Sequence, residues 1–184
     1  MAVAQRMTAD EYLQLGERWP RTQLVEGEVV VNEPRWRHQR VLADLSFALE
    51  AWVRAALGRG RLSPPVDVEL DERNVFAPDA HWYRDGRAPS DADDPPYPLA
   101  DLVVEVRSPS TWRHDIGAKK SAYERAGLPE LWLVDTAAEV ILVFRRSSAR
   151  AATFDVSLEQ SVADELTSPL LPGFALALRE LFDA

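Results

Sequence analysis

Apolar residues recur at three- and four-residue steps through Val41, Leu42, Leu45, Ala48, Leu49, Trp52, Val53 and Ala56, which predicts a long helix with one buried face, closed before Gly58 and Gly60. Ahead of it, Thr8-Ala9-Asp10-Glu11 has the form of a capping box, with Tyr12 and Leu15 on one face of a short helix ended by Gly16. Gln23 to Val31 reads as two short strands around Glu26-Gly27-Glu28, where Gly27 supplies the positive φ of a tight turn. After the long helix, Val66, Val68 and Leu70 alternate with Asp67, Glu69 and Asp71 in a half-exposed strand, and Val75 to Tyr83 forms a second strand containing Pro78.

Residues 84–98, rich in Pro and Asp, form a surface loop. Asp101 to Arg107 is the next strand, with Leu102, Val103, Val104 and Val106 apolar on both faces as in a central sheet position. Ser108-Pro109-Ser110-Thr111 breaks it and leads into a helix over about residues 113–126, closed by Gly127 and Pro129. Leu131–Val134 and Val140–Phe144 make a hairpin, followed by a strand near Thr153–Leu158 and a short apolar end around Leu181-Phe182. No repeat and no second core interrupts this order. Residues 1–184 therefore read as one α/β or α+β domain, a sheet flanked by helices.

Composition narrows the setting. Zero Cys excludes a disulfide framework, an iron–sulfur cluster and a thiolate zinc site. No apolar run approaches the length of a membrane helix, and Met1 to Met7 lacks the apolar core of a signal peptide, so a soluble, cytoplasmic protein is expected. A net charge of -9 counts against a passive nucleic-acid binder held by a broad basic face. It leaves room for an enzyme that meets phosphate through a cation held by carboxylates. The basic residues include only two lysines, Lys119 and Lys120, side by side in a chain that otherwise uses arginine. Arginine keeps its proton, whereas a lysine pKa moves when desolvated, so these two positions ask for lysine chemistry or are a solvated pair by chance.

Two strand carboxylates need explaining, because strands avoid acids and burying an unpaired charge is costly. Asp79 follows Pro78, and Glu105 sits within Leu102-Val103-Val104-Glu105-Val106. By alternation Asp101, Val103, Glu105 and Arg107 share one face. A buried salt bridge to an arginine would account for Glu105, and a turn position for Asp79. On the following helix, Ile116, Ala118, Ala122, Tyr123 and Ala126 form an apolar arc with Lys119 near its middle, facing the core, while Lys120 lies outside it beside Glu124. An inward Lys119 needs a partner, either Glu105 on the preceding strand or Asp115 four residues back. Two carboxylates on neighbouring strands with one lysine beside them are what a Mg²⁺- or Mn²⁺-dependent phosphodiesterase requires.

Pro78-Asp79 followed by Glu105-Val106-Arg107 resembles the signature of the restriction-endonuclease-like superfamily, an acid followed by acid, any residue, lysine. Tyr12-Leu13, Leu24 with Gly27-Glu28, His38-Gln39, Ser108-Pro109-Ser110-Thr111, Asp115 with Gly117 and Lys119, Tyr123 with Ala126-Gly127, and Glu130 with Trp132 and Val134-Asp135 are similar to the Uma-two family within it. The resemblance runs from Thr8 to the Leu171-Pro172-Gly173 turn. It implies a mixed central sheet flanked by helices and an endonuclease that hydrolyses DNA phosphodiester bonds, with Asp79 and Glu105 as metal ligands. Lys119 matches a catalytic lysine moved from strand to helix. Arg107 fills the strand lysine slot, where it would clamp phosphate but not act as a base. Gln23 stands where the family commonly has a glutamate and brings no charge.

His38 matches a family histidine and is read first as a helix-start structural residue; His81 and His114 are expected at the surface or in loops. Trp52 and Trp132 belong to the core. A homodimer is expected for a superfamily that cuts both strands, and Arg35, Arg37, Arg40, Arg107 and Arg113 are candidates for a DNA-facing patch. The alternative reading is a catalytically weak or inactive member that serves as an oligomeric binding or regulatory module.

Overall fold

The computed structural model describes residues 6–15, 22–31, 33–108 and 112–183; Gly16 and the break at 109–111 lie outside them. Helix α1 (Ala9–Leu13) starts from the capping box read in the sequence. Thr8 accepts from the Glu11 N–H, and the Glu11 carboxylate accepts from the Thr8 N–H. Strands β1 (Thr22–Val25) and β2 (Glu28–Val31) pair antiparallel across Glu26 and Gly27, both at positive φ as a two-residue hairpin turn demands. Gly27 is fixed there twice over, because a Cβ would meet the Arg6 Cβ at 2.7 Å. Helix α2 (Trp36–Arg54) buries Val41, Leu45, Leu49 and Trp52 along the stripe the periodicity picks out.

Strands β3 (Arg61–Ser63), β4 (Val68–Asp71), β5 (Asn74–Phe76) and β6 (Ala80–Tyr83) follow. The single strand expected from Val75 to Tyr83 is two. β5 belongs to a four-stranded sheet of order β2-β1-β5-β4, whereas β6 belongs to a six-stranded sheet. Pro78 supplies the reason: it has no N–H for a ladder, so the chain leaves one sheet and enters the other around Pro78-Asp79.

The six-stranded sheet has the order β10-β9-β8-β7-β6-β3, built from β7 (Leu102–Val106), β8 (Glu130–Asp135), β9 (Val140–Arg145) and β10 (Val156–Ser161) with β6 and β3. β7 and β8 run parallel and its other pairings are antiparallel, so the sheet is mixed. A two-stranded ribbon of β11 (Glu165–Leu166) and β12 (Leu176–Ala177) leads into helix α5 (Leu178–Phe182), the apolar end of the chain.

One face of the large sheet, with Trp82, Leu102, Val104, Val106 and Trp132, packs on α2 and α5. The other face, with Val103, Leu131 and Leu133, packs on Ala122 and Tyr123 and on Phe76 of the smaller sheet. The large sheet is thus the middle layer of an α+β domain, covered on both faces. No helix among the described residues is long and apolar enough to cross a membrane.

The crossover from β7 to β8 departs from the uniform helix expected at 113–126. It consists of α3 (Trp112–His114), a π turn (Asp115–Lys119) and α4 (Lys120–Arg125). The Lys120 N–H reaches back five residues to the Asp115 carbonyl. This wider turn changes the helix phase. Asp115 and Lys119 are buried, and Ile116, expected in the apolar arc, is 46% exposed. Lys120 does not pair with Glu124. Its ammonium sits 4.5 Å from the Phe144 ring centroid and 5.7 Å from that of Phe154, while Glu124 accepts from the Phe154 N–H.

Candidate active site

The β6–β7 register pairs Ala80 with Val104, and one further step along it sets Asp79 across from Glu105. Because β6 starts only at Ala80, the Asp79 carboxylate takes over as acceptor at the strand end: its Oδ2 receives the Val106 N–H at 2.7 Å. The broken ladder at Pro78 thus holds an acid at the end of the sheet.

Glu105 is buried on the face of β7 that looks toward the π turn. Lys119 Nζ lies 2.5 Å from Glu105 Oε1 and 3.1 Å from Asp115 Oδ1, so both partners considered for the lysine are used together. Tyr123, one turn beyond Lys119, donates its hydroxyl to the same Glu105 oxygen at 2.6 Å. On the other side His38, near the start of α2, places Nε2 3.3 Å from Asp79 Oδ1, and its Nδ1 lies 3.4 Å from the Arg107 carbonyl. Three of the four predicted site residues, Asp79, Glu105 and Lys119, therefore belong to one constellation. The fourth, Gln23, is buried on β1, and its Oε1 has no hydrogen-bond partner among the described residues.

The electrostatics of the cluster are unbalanced. Burial pushes the Glu105 carboxyl up to about 8, Lys119 opposes this, and Asp115 and Asp79 reinforce it. Lys119 loses solvation too, but Glu105 and Asp115 more than compensate, so its pKa is raised and it stays an ammonium. Burial pushes the Tyr123 hydroxyl well up, and Glu105 adds to that, so it remains a donor. Burial alone would lower His38; the hydrogen bond and charge of Asp79 outweigh it and raise the imidazole pKa. Three buried acids, Asp79, Glu105 and Asp115, thus share one ammonium and one imidazole, and the proton that Glu105 retains stands in for the cation the cluster lacks.

That shortage of positive charge, with hard oxygen donors on two adjoining chain segments, fits a divalent cation between Asp79 and Glu105. Mg²⁺ is commonly bound by one or two carboxylates, with waters and substrate phosphate completing its shell. Among the described residues no group of three or more His, Cys, Asp or Glu is arranged to hold a metal ion, so the fit rests on these two carboxylates.

Several expectations are corrected. Arg107 is not paired with the site carboxylates: its guanidinium binds Asp135 at 2.7 and 2.8 Å and lies 5.5 Å from the Trp112 ring centroid, because its N–H continues the ladder to the Val134 carbonyl and the β7–β8 register brings it beside Asp135. His81 is fully buried on β6, Nε2 at 2.9 Å from the Pro64 carbonyl, and desolvation lowers its pKa to about 4. His114 is half-buried in α3. Trp52 and Trp132 are core residues as read.

Of the arginine patch, Arg35, Arg37 and Arg40 stand at the start of α2, whose His38 meets the Arg107 backbone. Arg37 is paired with Glu139, Arg40 with Asp44 and Arg107 with Asp135. Tyr123 reads as a core aromatic in the sequence. The signal for its second role is its spacing of four from Lys119, which places both on the side of the helix facing Glu105.

The sequence profile matching residues 9–179 is that of the Uma2 family, described as "Putative restriction endonuclease". Among solved structures, the chain resembles a protein from Anabaena variabilis ATCC 29413 described as a "putative nuclease belonging to DUF820". The TM-score is 0.79 at 17% identity, covering 96% of this chain and 98% of that one. At that identity the likeness establishes the fold. No curated protein matches the sequence.

Proposed function

Because the chain belongs to the Uma2 family of restriction-endonuclease-like proteins, we propose that it is a Mg²⁺- or Mn²⁺-dependent endonuclease hydrolysing DNA phosphodiester bonds, with Asp79, Glu105 and Lys119 as its centre. The observation that carries this reading is the buried carboxylate cluster short of cation around Glu105. Asp79 and Glu105 would hold the metal, which when bound neutralises phosphate charge and makes a coordinated water more acidic.

The remaining work falls to the chain's own groups. Lys119, kept as an ammonium by Glu105 and Asp115, has one N–H left over from those two pairs, with which it would orient the attacking water against the phosphate. Tyr123 fixes the Glu105 carboxylate, leaving Oε2 for a ligand, and His38 fixes Asp79 from the α2 side. Gln23 is neutral where the family commonly carries charge, which lowers metal affinity rather than removing the site. Arg35, Arg37 and Arg40 at the start of α2 would meet the DNA backbone, the last two on leaving Glu139 and Asp44. A homodimer would present two such centres to two strands, and the exposed Val29 and Val31 of β2, at the edge of the smaller sheet, suit a subunit contact.

A catalytically silent member acting as an oligomeric binding module is the second reading, favoured by Gln23 and by the near-complete burial of Glu105. Cleavage of supercoiled plasmid and of single-stranded DNA with Mg²⁺, Mn²⁺ or EDTA separates them. The nuclease cuts only with metal and loses cutting in Lys119→Ala and Glu105→Ala. An inert wild type, or cutting that survives both substitutions, overturns the assignment.

A further inference from the structure

The wide turn in the β7–β8 crossover does more than expose Ile116. Over the eight residues from Asp115 to Tyr123 a regular α-helix would end about 80° out of line with its start. A π turn takes up one extra residue, about 100° of phase, and so brings Asp115, Lys119 and Tyr123 to within about 20° of one line. All three are buried, and their polar ends converge. Lys119 Nζ and the Tyr123 hydroxyl both meet Glu105 Oε1, at 2.5 and 2.6 Å, and Asp115 Oδ1 stands 3.1 Å from the same ammonium.

Stability does not explain a second buried acid at this place. Glu105 already gives Lys119 a partner, and the charge of Asp115 works against the charged form of Glu105. On the neighbouring strands the buried Glu130 is paired with Arg145 and has no second acid on that guanidinium among the described residues. What Asp115 adds is a second seat for one cation. A shift of about 0.3 Å would bring Nζ to the ordinary charge-assisted distance of about 2.8 Å from Asp115. Glu105 Oε1 would keep its Tyr123 hydroxyl, and the ammonium would stay against the Phe76 ring, whose centroid now lies 5.4 Å from it.

We infer that Asp115 is a positioning residue that receives Lys119 when Glu105 takes a divalent cation, so that the lysine is handed over within the core instead of competing for the carboxylate. The inference rests on the nuclease reading and deepens it by naming the residue that frees Glu105 and sets the lysine. Seated on Asp115 alone, Lys119 commits one of its three N–H groups and has two available for water and phosphate.

The chain has only two lysines, so spectra of protein labelled with ¹⁵N-lysine contain two ammonium signals, and Lys119→Arg assigns them. In the metal-free wild type, Lys119 Nζ couples through its hydrogen bonds to the carboxylate carbons of both Glu105 and Asp115. With saturating Mg²⁺ the coupling to Glu105 Cδ is lost and that to Asp115 Cγ grows. This arm reads the wild type and does not depend on a variant folding.

A double-mutant cycle on Mn²⁺ affinity, read by calorimetry, is the second arm. Asp115→Asn weakens Mn²⁺ binding about tenfold where Lys119 is present and several times less in the Lys119→Met background, which has no ammonium to seat. A Glu105 coupling that persists at saturating Mg²⁺, or an equal loss of Mn²⁺ affinity in both backgrounds, overturns the handover and leaves the nuclease reading intact. A wild type that binds neither metal overturns both proposals.

Discussion

Glu105 and Glu130 stand on adjacent parallel strands, both buried in the same sheet, and their surroundings could hardly differ more. Glu130 is fully provided for. Arg145 donates to both its oxygens at 2.8 and 3.2 Å, and the Trp132 indole and the Ser168 hydroxyl each donate at 2.7 Å. One guanidinium balances one carboxylate. Glu105 has Lys119 and Tyr123 on a single oxygen, shares that lysine with Asp115, and has Asp79 opposite. A buried acid in a strand is therefore not in itself a functional signal. The balance of charge around it is what separates an acid locked by its own partners from one left with its neighbours' charge unmatched.

The comparison breaks most visibly at Arg145. Arg145→Ala leaves Glu130 buried and unpaired, and the account expects a loss of about 3–5 kcal/mol in urea unfolding. Glu105→Gln moves the other way, since it removes one of three crowded carboxylates: stability without metal is unchanged or higher while DNA cleavage is lost. A loss of several kcal/mol in Glu105→Gln would place Glu105 with Glu130 as a structural acid.

Metal gives the next largest effect. At 100 times its dissociation constant, Mg²⁺ or Mn²⁺ stabilises a folded protein with one site by about 2.7 kcal/mol. A rise in melting temperature is expected in the wild type and in Arg37→Ala, and none in Glu105→Gln or Asp79→Asn.

The pH dependence is smaller and of defined sign. The folded Glu105 carboxyl titrates near 8 against an ordinary 4.5, so through that interval the folded state holds a proton that the unfolded state has released. The metal-free protein therefore loses stability as pH rises from about 4.5 to about 8, and His38, whose pKa is also raised, acts in the same direction above 6.5. Glu105→Gln flattens that slope in unfolding measured against pH. The smallest effect is at Arg37, whose pairing with Glu139 is largely exposed: Arg37→Ala changes stability by less than about 1 kcal/mol, measured by the same unfolding.

What the sequence made legible follows from what is local. The capping box at Thr8, the turn at Gly27 and the stripe of α2 are each dictated within a few residues, and each stands where its pattern places it. The inward direction of Lys119 was likewise readable, although the ideal-helix wheel put Ile116 inside as well. The π turn that exposes Ile116 depends on closing i to i+5, which apolar periodicity does not encode. Less visible was the transfer of the chain between sheets at Pro78. Proline forbids the ladder, but only long-range pairing with β7 makes Asp79 a neighbour of Glu105.

Within the site, Asp79, Glu105 and Lys119 were readable as chemistry without a place in local structure. The grip of Tyr123 on Glu105 needed the folded face of α4, and His38 on Asp79 needed the packing of α2 on the sheet. Arg107 shows the converse: alternation aims it at the site, and Asp135, its neighbour in the β7–β8 register, takes the guanidinium instead.

The most direct test is calorimetric titration of Mn²⁺ into the wild type, Glu105→Gln and Glu130→Gln at pH 7. The account predicts one site per chain in the wild type, with protons released as the metal displaces the one held by Glu105. It predicts that Glu105→Gln abolishes this binding and that Glu130→Gln, where the variant folds, keeps it. Absence of binding in the wild type, or binding undiminished in Glu105→Gln, would contradict the claim that this carboxylate is poised for a metal.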